Sequence, residues 1–386
     1  MMQPFFLSFP MCDSTHTFAT MIQINYQPPK LLFSSDVPDI SITTDHAFAD
    51  VQIRCNTLVL LSGRFYAIHN MVTVHEVAAL VGHLFQNDPE FNRADITIEA
   101  SSEGEVAEKV TFSVICCHRK LDLYEPTEWL AGNFLTTVRS RRIAPAGWLN
   151  LSWYAAQGES LTVYVRINYL DDDARPRSFR WLHSGASQTA PTAGIRSVYI
   201  RMEDIRAALI KKCNIANPTP ICFTVECGRR RMTFYVDPSL SAAPVFHFNN
   251  CFNVLEQLSV QCVTTAKIKK DHAIALIGNE AQLYDVTLSK EYETQTGPLT
   301  PDECEQMEQM LTSNAVHLLF WKGMNWVADV YSMKPILITD FTSEISDGDD
   351  KLNTVKFTWR FTHNLPAANI PTTSDIFTAT FNPTFS

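Results

Sequence analysis

Side chains that alternate between apolar and polar along short runs recur through most of this chain, and that period of two constrains its fold more than any other feature. Ile40-Ser-Ile42-Thr, Val51-Gln-Ile53-Arg, Ile96-Thr-Ile98-Glu and Thr111-Phe-Ser-Val114-Ile carry it in the first third. Leu149-Asn-Leu151-Ser-Trp153, Leu161 to Ile167, Phe223-Thr-Val225 and Met232 to Val236 repeat it in the middle. Successive residues of a strand point to opposite faces, so each run has one face to bury and one to leave wet, as in antiparallel sheets. The chain is therefore expected to be mainly β, built from antiparallel, sandwich-like layers.

Only three segments carry helical spacing: Val74 to Phe85, Met202 to Lys212 and Pro301 to Thr312. The third has the clearest start. Thr300 supplies a capping hydroxyl, Pro301 suits the first helical position, and Asp302 and Glu303 lie over the positive end of the helix dipole. Laying the first two helices over one another exposes a weak repeat. Phe65 to Ile68, the helix around Val77 and Leu84, Ile96 to Ile98 and Val110 to Val114 parallel Val198 to Ile200, the helix around Ile205 and Leu209, Phe223 to Val225 and Met232 to Val236. Strand, helix and hairpin in the same order twice predict two tandem modules, each with a short helix.

At 386 residues the chain exceeds what one core organises, about 250–300 residues. Its expected parts are an N-terminal extension or arm at 1–20, a first β-sandwich-like module at 21–120, a connector at 121–145 and a second module at 146–237. A C-terminal β-rich domain with one helix follows at 245–363, then an extended tail at 364–386. The stretch from Asp237 to Pro244 has the composition of a linker.

With 46% hydrophobic residues, including 24 Phe, 7 Trp and 11 Tyr, the chain has ample material for packed cores. A formal charge of −10 disfavours general binding to nucleic acid or anionic membranes. The basic runs Arg139, Arg141 and Arg142, then Arg229, Arg230 and Arg231, then Lys267, Lys269 and Lys270 are short, and each is expected on solvated surface, the middle one at a hairpin turn. No Lys or Arg precedes Lys30, so the positive start of a secretory signal is missing. No apolar run approaches the about 20 residues of a spanning helix, so a soluble protein is expected.

The residues that carry chemistry elsewhere are present here without their usual company. Ten Cys are spread along the chain with no CxxC pair, which points to buried, reduced thiols. Cys116-Cys117-His118 ends an alternating run whose parity places Cys116 on the buried face. Asp347-Gly348-Asp349-Asp350 lacks the spaced ligands of a calcium loop and reads as a hairpin tip. Asp171-Asp172-Asp173 reads as a turn after a strand. Glu291, Glu293 and Asp302 are the carboxylates a glycan hydrolase would need, if paired. Trp129, Trp148, Trp181, Trp321 and Trp326 are the rings a carbohydrate-binding adhesion module would use for stacking. No nucleophile elbow, HExxH or phosphate loop occurs. No catalytic, cofactor or metal residue is assigned, no cofactor is expected, and the chain is read as a non-enzyme. Aromatic, apolar strand surface of this extent suits assembly with other subunits.

Several stretches look familiar. Leu31-Leu-Phe-Ser-Ser-Asp-Val-Pro-Asp39, Val72-Thr-Val-His-Glu-Val77, Phe248-Asn-Asn-Cys-Phe-Asn-Val254, Thr296-Gly-Pro-Leu-Thr-Pro301, Ile336-Leu-Ile-Thr-Asp340 and Lys356-Phe-Thr-Trp-Arg360 resemble tail proteins of bacteriophages and prophages of gut Bacteroidales. The likeness spans most of 21–363 and is nearer to a distal-tail or baseplate component than to a fibre. It implies a virion structural protein, a protomer of a homo-oligomeric ring at the end of a tail tube, in contact with other tail or baseplate proteins. It brings no catalytic residues, and charge and hydropathy predict no nucleic-acid partner and no membrane insertion. Residues 1–20 and the tail from Leu365 depart from the pattern.

Overall fold

The computed structural model describes residues 22–85, 91–102, 108–121, 125–185, 188–277, 280–319, 333–344 and 352–362. The expected N-terminal extension, the C-terminal tail, the Asp347 to Asp350 turn, Trp321 and Trp326 lie outside them. The fold is mainly β, as the alternation requires, and each alternating run named above lies in or overlaps a strand. The chain divides into two compact units, one of residues 1–81 with 94–114, the other of 82–93 with 115–386.

The first unit opens with β1 (Ile22–Ile24), β2 (Leu31–Phe33), β3 (Ile40–Thr44), β4 (Phe48–Cys55), β5 (Leu58–Tyr66) and β6 (Met71–Val74). α1 (Val77–Gly82) follows, then β7 (Arg93–Ser101) and β8 (Glu108–Ile115). Its sheets run β1-β3-β6 and β2-β8-β7-β4-β5. The inward residues are the apolar halves of the alternation: Ile40 and Ile42 in one sheet, Val51, Ile53, Ile96, Ile98 and Val114 in the other, each at most 1% exposed.

The second unit continues with α2 (Pro126–Gly132), β9 (Ser140–Ile143), β10 (Trp148–Ala155), β11 (Val163–Leu170), β12 (Pro176–Ser184) and β13 (Gly194–Arg201). Then come α3 (Met202–Cys213), β14 (Thr219–Cys227) and β15 (Arg230–Val236). Here the sheets run β10-β13 and β9-β15-β14-β11-β12, with β9 parallel to β15. Leu149, Leu151 and Trp153 of β10, Ile167 of β11, Phe223 of β14, Phe234 of β15 and Ile205 of α3 share one buried core, which makes this a sandwich with a helix across it.

The two modules trace the same path. In each, a hairpin (β4-β5, β11-β12) leads to a strand of the smaller sheet (β6, β13), a helix (α1, α3) and a second hairpin (β7-β8, β14-β15), in five-stranded sheets of equivalent order. The counterpart of β13 is β6, not the Phe65 to Ile68 stretch at the end of β5, because β6 and β13 each lie in the smaller sheet directly before the helix.

The rest of the second unit is one seven-stranded sheet, ordered β17-β16-β20-β21-β22-β19-β18. Its strands are β16 (Val245–Asn249), β17 (Leu255–Ser259), β18 (Cys262–Ile277), β19 (Glu280–Thr296), β20 (Val316–Leu319), β21 (Met333–Glu344) and β22 (Thr354–Phe361). α4 (Pro301–Thr312) packs Met307, Met310 and Leu311 against Phe246, Phe248, Val316 and Phe357. The helix starts where the sequence placed it. Thr300 accepts from the Glu303 amide at 3.3 Å and Glu303 accepts from the Thr300 amide at 2.9 Å, a closed capping box.

The second sandwich and this last sheet fall in the same unit because a polar seam ties α4 and β17 to residues 136–142. Arg142 donates to both carboxylate oxygens of Glu303, at 2.6 and 2.8 Å, so the capping box is gripped by a bidentate guanidinium. Ser140 donates to Asp302 through its amide and hydroxyl. Glu256, only 3% exposed, accepts from Arg141, from Gln306 at 2.6 Å and from Asn250 at 2.5 Å. Arg141 and Arg142 are thus not the solvated surface that their clustering suggested; Arg141 is 6% exposed. The stretch from Asp237 to Pro244 is also packed: Leu240 is fully buried beside Ala144 and Ala243, and Asp237 accepts from Arg142 at 3.1 Å.

On the face of β16 turned away from α4 sits His247, fully buried, edge-on to the Trp148 ring at 4.6 Å and in register with His317 of β20. Burial, and secondarily His317, hold its pKa down at about 4 from an ordinary 6.5. The unfolded chain therefore binds a proton between these values that the folded chain refuses, and stability falls as pH drops from 6.5 towards 4. At about 1.4 kcal/mol per pH unit, the loss from His247 is roughly 3 kcal/mol. Urea unfolding at pH 7 and pH 4.5 should show most of it, and His247→Gln should flatten the dependence; equal pH slopes in both proteins would refute this.

Candidate functional site

The last sheet extends into an arm. β18 and β19 pair from Cys262 and Thr296 at the base to Ile277 and Glu280 near the tip, yet β22 pairs with β19 only from Tyr292 to Gln295. The twelve residues of β19 from Glu280 to Glu291 have no third strand among the described residues, a reach of roughly 40 Å at about 3.3 Å per residue. The sequence favours strand here through β-branched residues such as Val263, Thr264, Thr265 and Ile268. Cross-strand ion pairs help hold the register: Lys269 to Glu291 at 2.7 Å, Lys267 to Glu293, and Lys356 to Glu293 at 2.9 Å. Hydrogen bonds from these lysines keep both carboxyls below the usual range. Beside the charges β18 carries exposed apolar side chains: Val263 at the three-stranded base, 74% exposed, and Ile268 and Ile274 along the ribbon, 70% and 58% exposed. Each strand runs unbroken, β18 over 16 residues and β19 over 17.

The sheet edges differ in character. β12, the edge of the second sandwich, begins at Pro176 and carries Arg177 paired with Asp171 at 3.1 Å and Arg180 paired with Glu226, which blunts it against pairing. β5, an edge in the first unit, also carries such a pair, Arg64 with Asp50 at 2.9 Å, and exposes Leu58 and Val59 near one end and Tyr66, 73% exposed, at the other. β18 is the edge of the last sheet and carries the exposed residues of the arm.

The residues singled out for chemistry are dispersed. Cys116 and Cys117 are buried, and burial pushes the Cys116 thiol far up, so it stays protonated; Cys117 donates to the Arg119 carbonyl at 2.9 Å. Asp171 accepts from the amides of Asp173 and Arg175, and Asp172 from those of Ala216 and Asn217, so the acidic run builds a turn between β11 and β12. Glu291 and Glu293 lie on β19 with their lysines, while Asp302 accepts from Ser140 in the seam. Trp129 stacks on Phe252 at 5.2 Å, and it and Trp148 are interior; Trp181 is half-buried beside His183. Among the described residues no cluster of three or more His, Cys, Asp or Glu is disposed to hold a metal ion. No helix among them is long and apolar enough to cross a membrane.

Arg230 is the residue that the charge-run argument misplaced. It sits at the hairpin turn as expected, after Gly228 with its φ of +59°, but only 1% of it is exposed. Its guanidinium donates to the carbonyls of Leu130, at 2.9 and 2.6 Å, and Tyr154, at 2.7 Å, and pairs with Glu159. The Leu130 carbonyl belongs to the last turn of α2, a helix inside the expected connector. Pro126 at its start and Gly132 at its end were the available signal.

An open cleft of about 810 Å³ is lined by His118, Arg119, Asn253, Glu308 and Gln309, among others. Much of its polar lining is engaged with the protein. Asn253 donates to the Phe85 and Phe91 carbonyls, Gln309 bridges the Cys251 amide and Thr137, and Arg119 pairs with Glu305.

No family model matches the chain, and no curated protein matches it. Among solved structures, the full extracellular region of plexin A4 aligns at 9% identity over 90% of this chain and 40% of that one, with a TM-score of 0.20. The chain thus spans less than half of that protein's length, and a likeness this low bears on neither fold nor function.

Proposed function

We propose that this chain is a structural protomer of a phage tail or baseplate, without enzymatic activity, that assembles with copies of itself into a ring and docks other tail proteins in the virion. The observation that carries the reading is the β18–β19 arm. A two-stranded ribbon has no core of its own and is at best marginally stable alone, so apolar side chains along it gain most from a partner surface. The apolar residues exposed on the β5 edge, Leu58, Val59 and Tyr66, support the same use. The sequence likeness to Bacteroidales tail proteins supplies the setting.

Light scattering after size exclusion should give a mass several times that of one chain. Ile268→Lys combined with Val263→Lys should reduce it to a single chain while shifting stability by no more than about 0.5 kcal/mol, as for exposed positions generally. A wild-type protein that stays monomeric at high concentration, or an oligomer indifferent to both substitutions, would overturn the assembly reading. Absence of the chain from purified particles would overturn the virion setting.

A further inference from the structure

Where β9 and β10 of the second sandwich meet β16 and β17 of the last sheet, a cavity of about 20 Å³ is lined by Arg141, Trp148 and Gln257 together with apolar neighbours. Each of the three carries a buried polar atom that meets no hydrogen-bonding group of the protein: Nε and Nη1 of Arg141, Nε1 of Trp148 and Oε1 of Gln257. His247 adjoins them, in register with Gln257 and against the Trp148 ring, and both its ring nitrogens are in the same condition. A buried polar atom without a partner costs about 1–3 kcal/mol, so an occupant of the cavity that satisfies several of these atoms at once is favoured. We propose that this cavity is the site of one buried water molecule, which accepts from Arg141 and Trp148, donates to Gln257, and thereby bridges the second sandwich to the last sheet.

Size, charge and hydrogen-bonding character select water over its rivals. A cavity needs about 10–15 Å³ to hold one water, and this one has room for little more. A halide is disfavoured by charge, since the two guanidinium groups of Arg141 and Arg142 already face four carboxylates, those of Asp237, Glu256, Asp302 and Glu303. A metal ion is disfavoured because the lining offers chiefly N–H donors. Water is neutral, accepts twice and donates twice, and suits a lining that mixes N–H donors with a carbonyl oxygen.

The test uses the full chain labelled with ¹⁵N at tryptophan, with the Trp148 indole signal identified by its loss in Trp148→Phe. A bound water gives a cross peak between that indole proton and the water resonance, opposite in sign in NOE and ROE spectra, which separates it from chemical exchange. Gln257→Met should abolish the cross peak while the remaining indole signals keep their positions. The wild-type measurement decides alone should that variant misfold: no cross peak, or one of exchange sign, overturns the proposal. So does a bromide-soaked crystal with an anomalous peak between Trp148 and Gln257, which would identify an anion.

Discussion

Replacing Glu256 with leucine should lower the stability of the second unit by about 3–5 kcal/mol, the penalty for removing one partner of a buried ion pair and stranding the other. Arg141 is the stranded partner. Burial already pulls its guanidinium below its ordinary pKa, and Glu256 is the main opposing influence. Gln306 and Asn250, 1% and 4% exposed, would lose an acceptor at the same time. Against a typical total of about 5–15 kcal/mol, the loss is a large share of the whole. The physical cause can be isolated with a second change, since Arg141→Met in the Glu256→Leu background removes the stranded charge and should restore much of the loss. Urea unfolding followed by tryptophan emission reads both. A single variant that loses less than about 1 kcal/mol, or a double variant worse than the single one, would show that the pair does not bear on stability as argued.

Arg230→Met should cost about 2–4 kcal/mol, somewhat less than Glu256→Leu, because Glu159, the anion left behind, is 27% exposed and can recruit solvent. What it cannot replace is the guanidinium bridge to the Leu130 and Tyr154 carbonyls, which ties α2 to the sandwich edge. Its neighbours provide the control. Arg229 and Arg231 are exposed, and Arg231→Met should change stability by no more than about 0.5 kcal/mol. Thermal unfolding of the two variants side by side decides the matter. Equal effects at 230 and 231 would contradict it.

These two arginines also show how much the sequence holds and how it is misread. Period-two alternation continues through the charged residues: Arg230, Met232 and Phe234 face inward, as do Arg141 and Ile143, and Glu256 with Leu258. Parity therefore places all three charged groups in the interior, whereas the expectation of solvated surface for the two arginines rests on the general preference of charge for water. What parity does not show is the partner. Glu256 lies 115 residues from Arg141, and only the meeting of two sheets brings them together. Local signals served well where a structure is local, as in the Thr300 capping box, and the repeated order of strand, helix and hairpin was legible because each step is short. The arm was not, since a long ribbon supported on one side leaves the same alternating trace as a strand inside a sheet. Helix α2 leaves little trace in the sequence, because its seven residues give too little apolar periodicity to rise above the Pro and Gly around it.

The seam has a consequence for how the protein is made. Arg142 grips a carboxylate 161 residues further along, so during synthesis it leaves the ribosome long before Glu303 exists. At about 5–20 residues per second, the wait is roughly 8–30 s. Through that interval the second sandwich carries Arg141 and Arg142 without their principal acceptors, and it reaches its final tightness only when α4 has been translated. A nascent chain stalled between Val236 and Pro301 should therefore be more open to proteases around β9 than the finished protein.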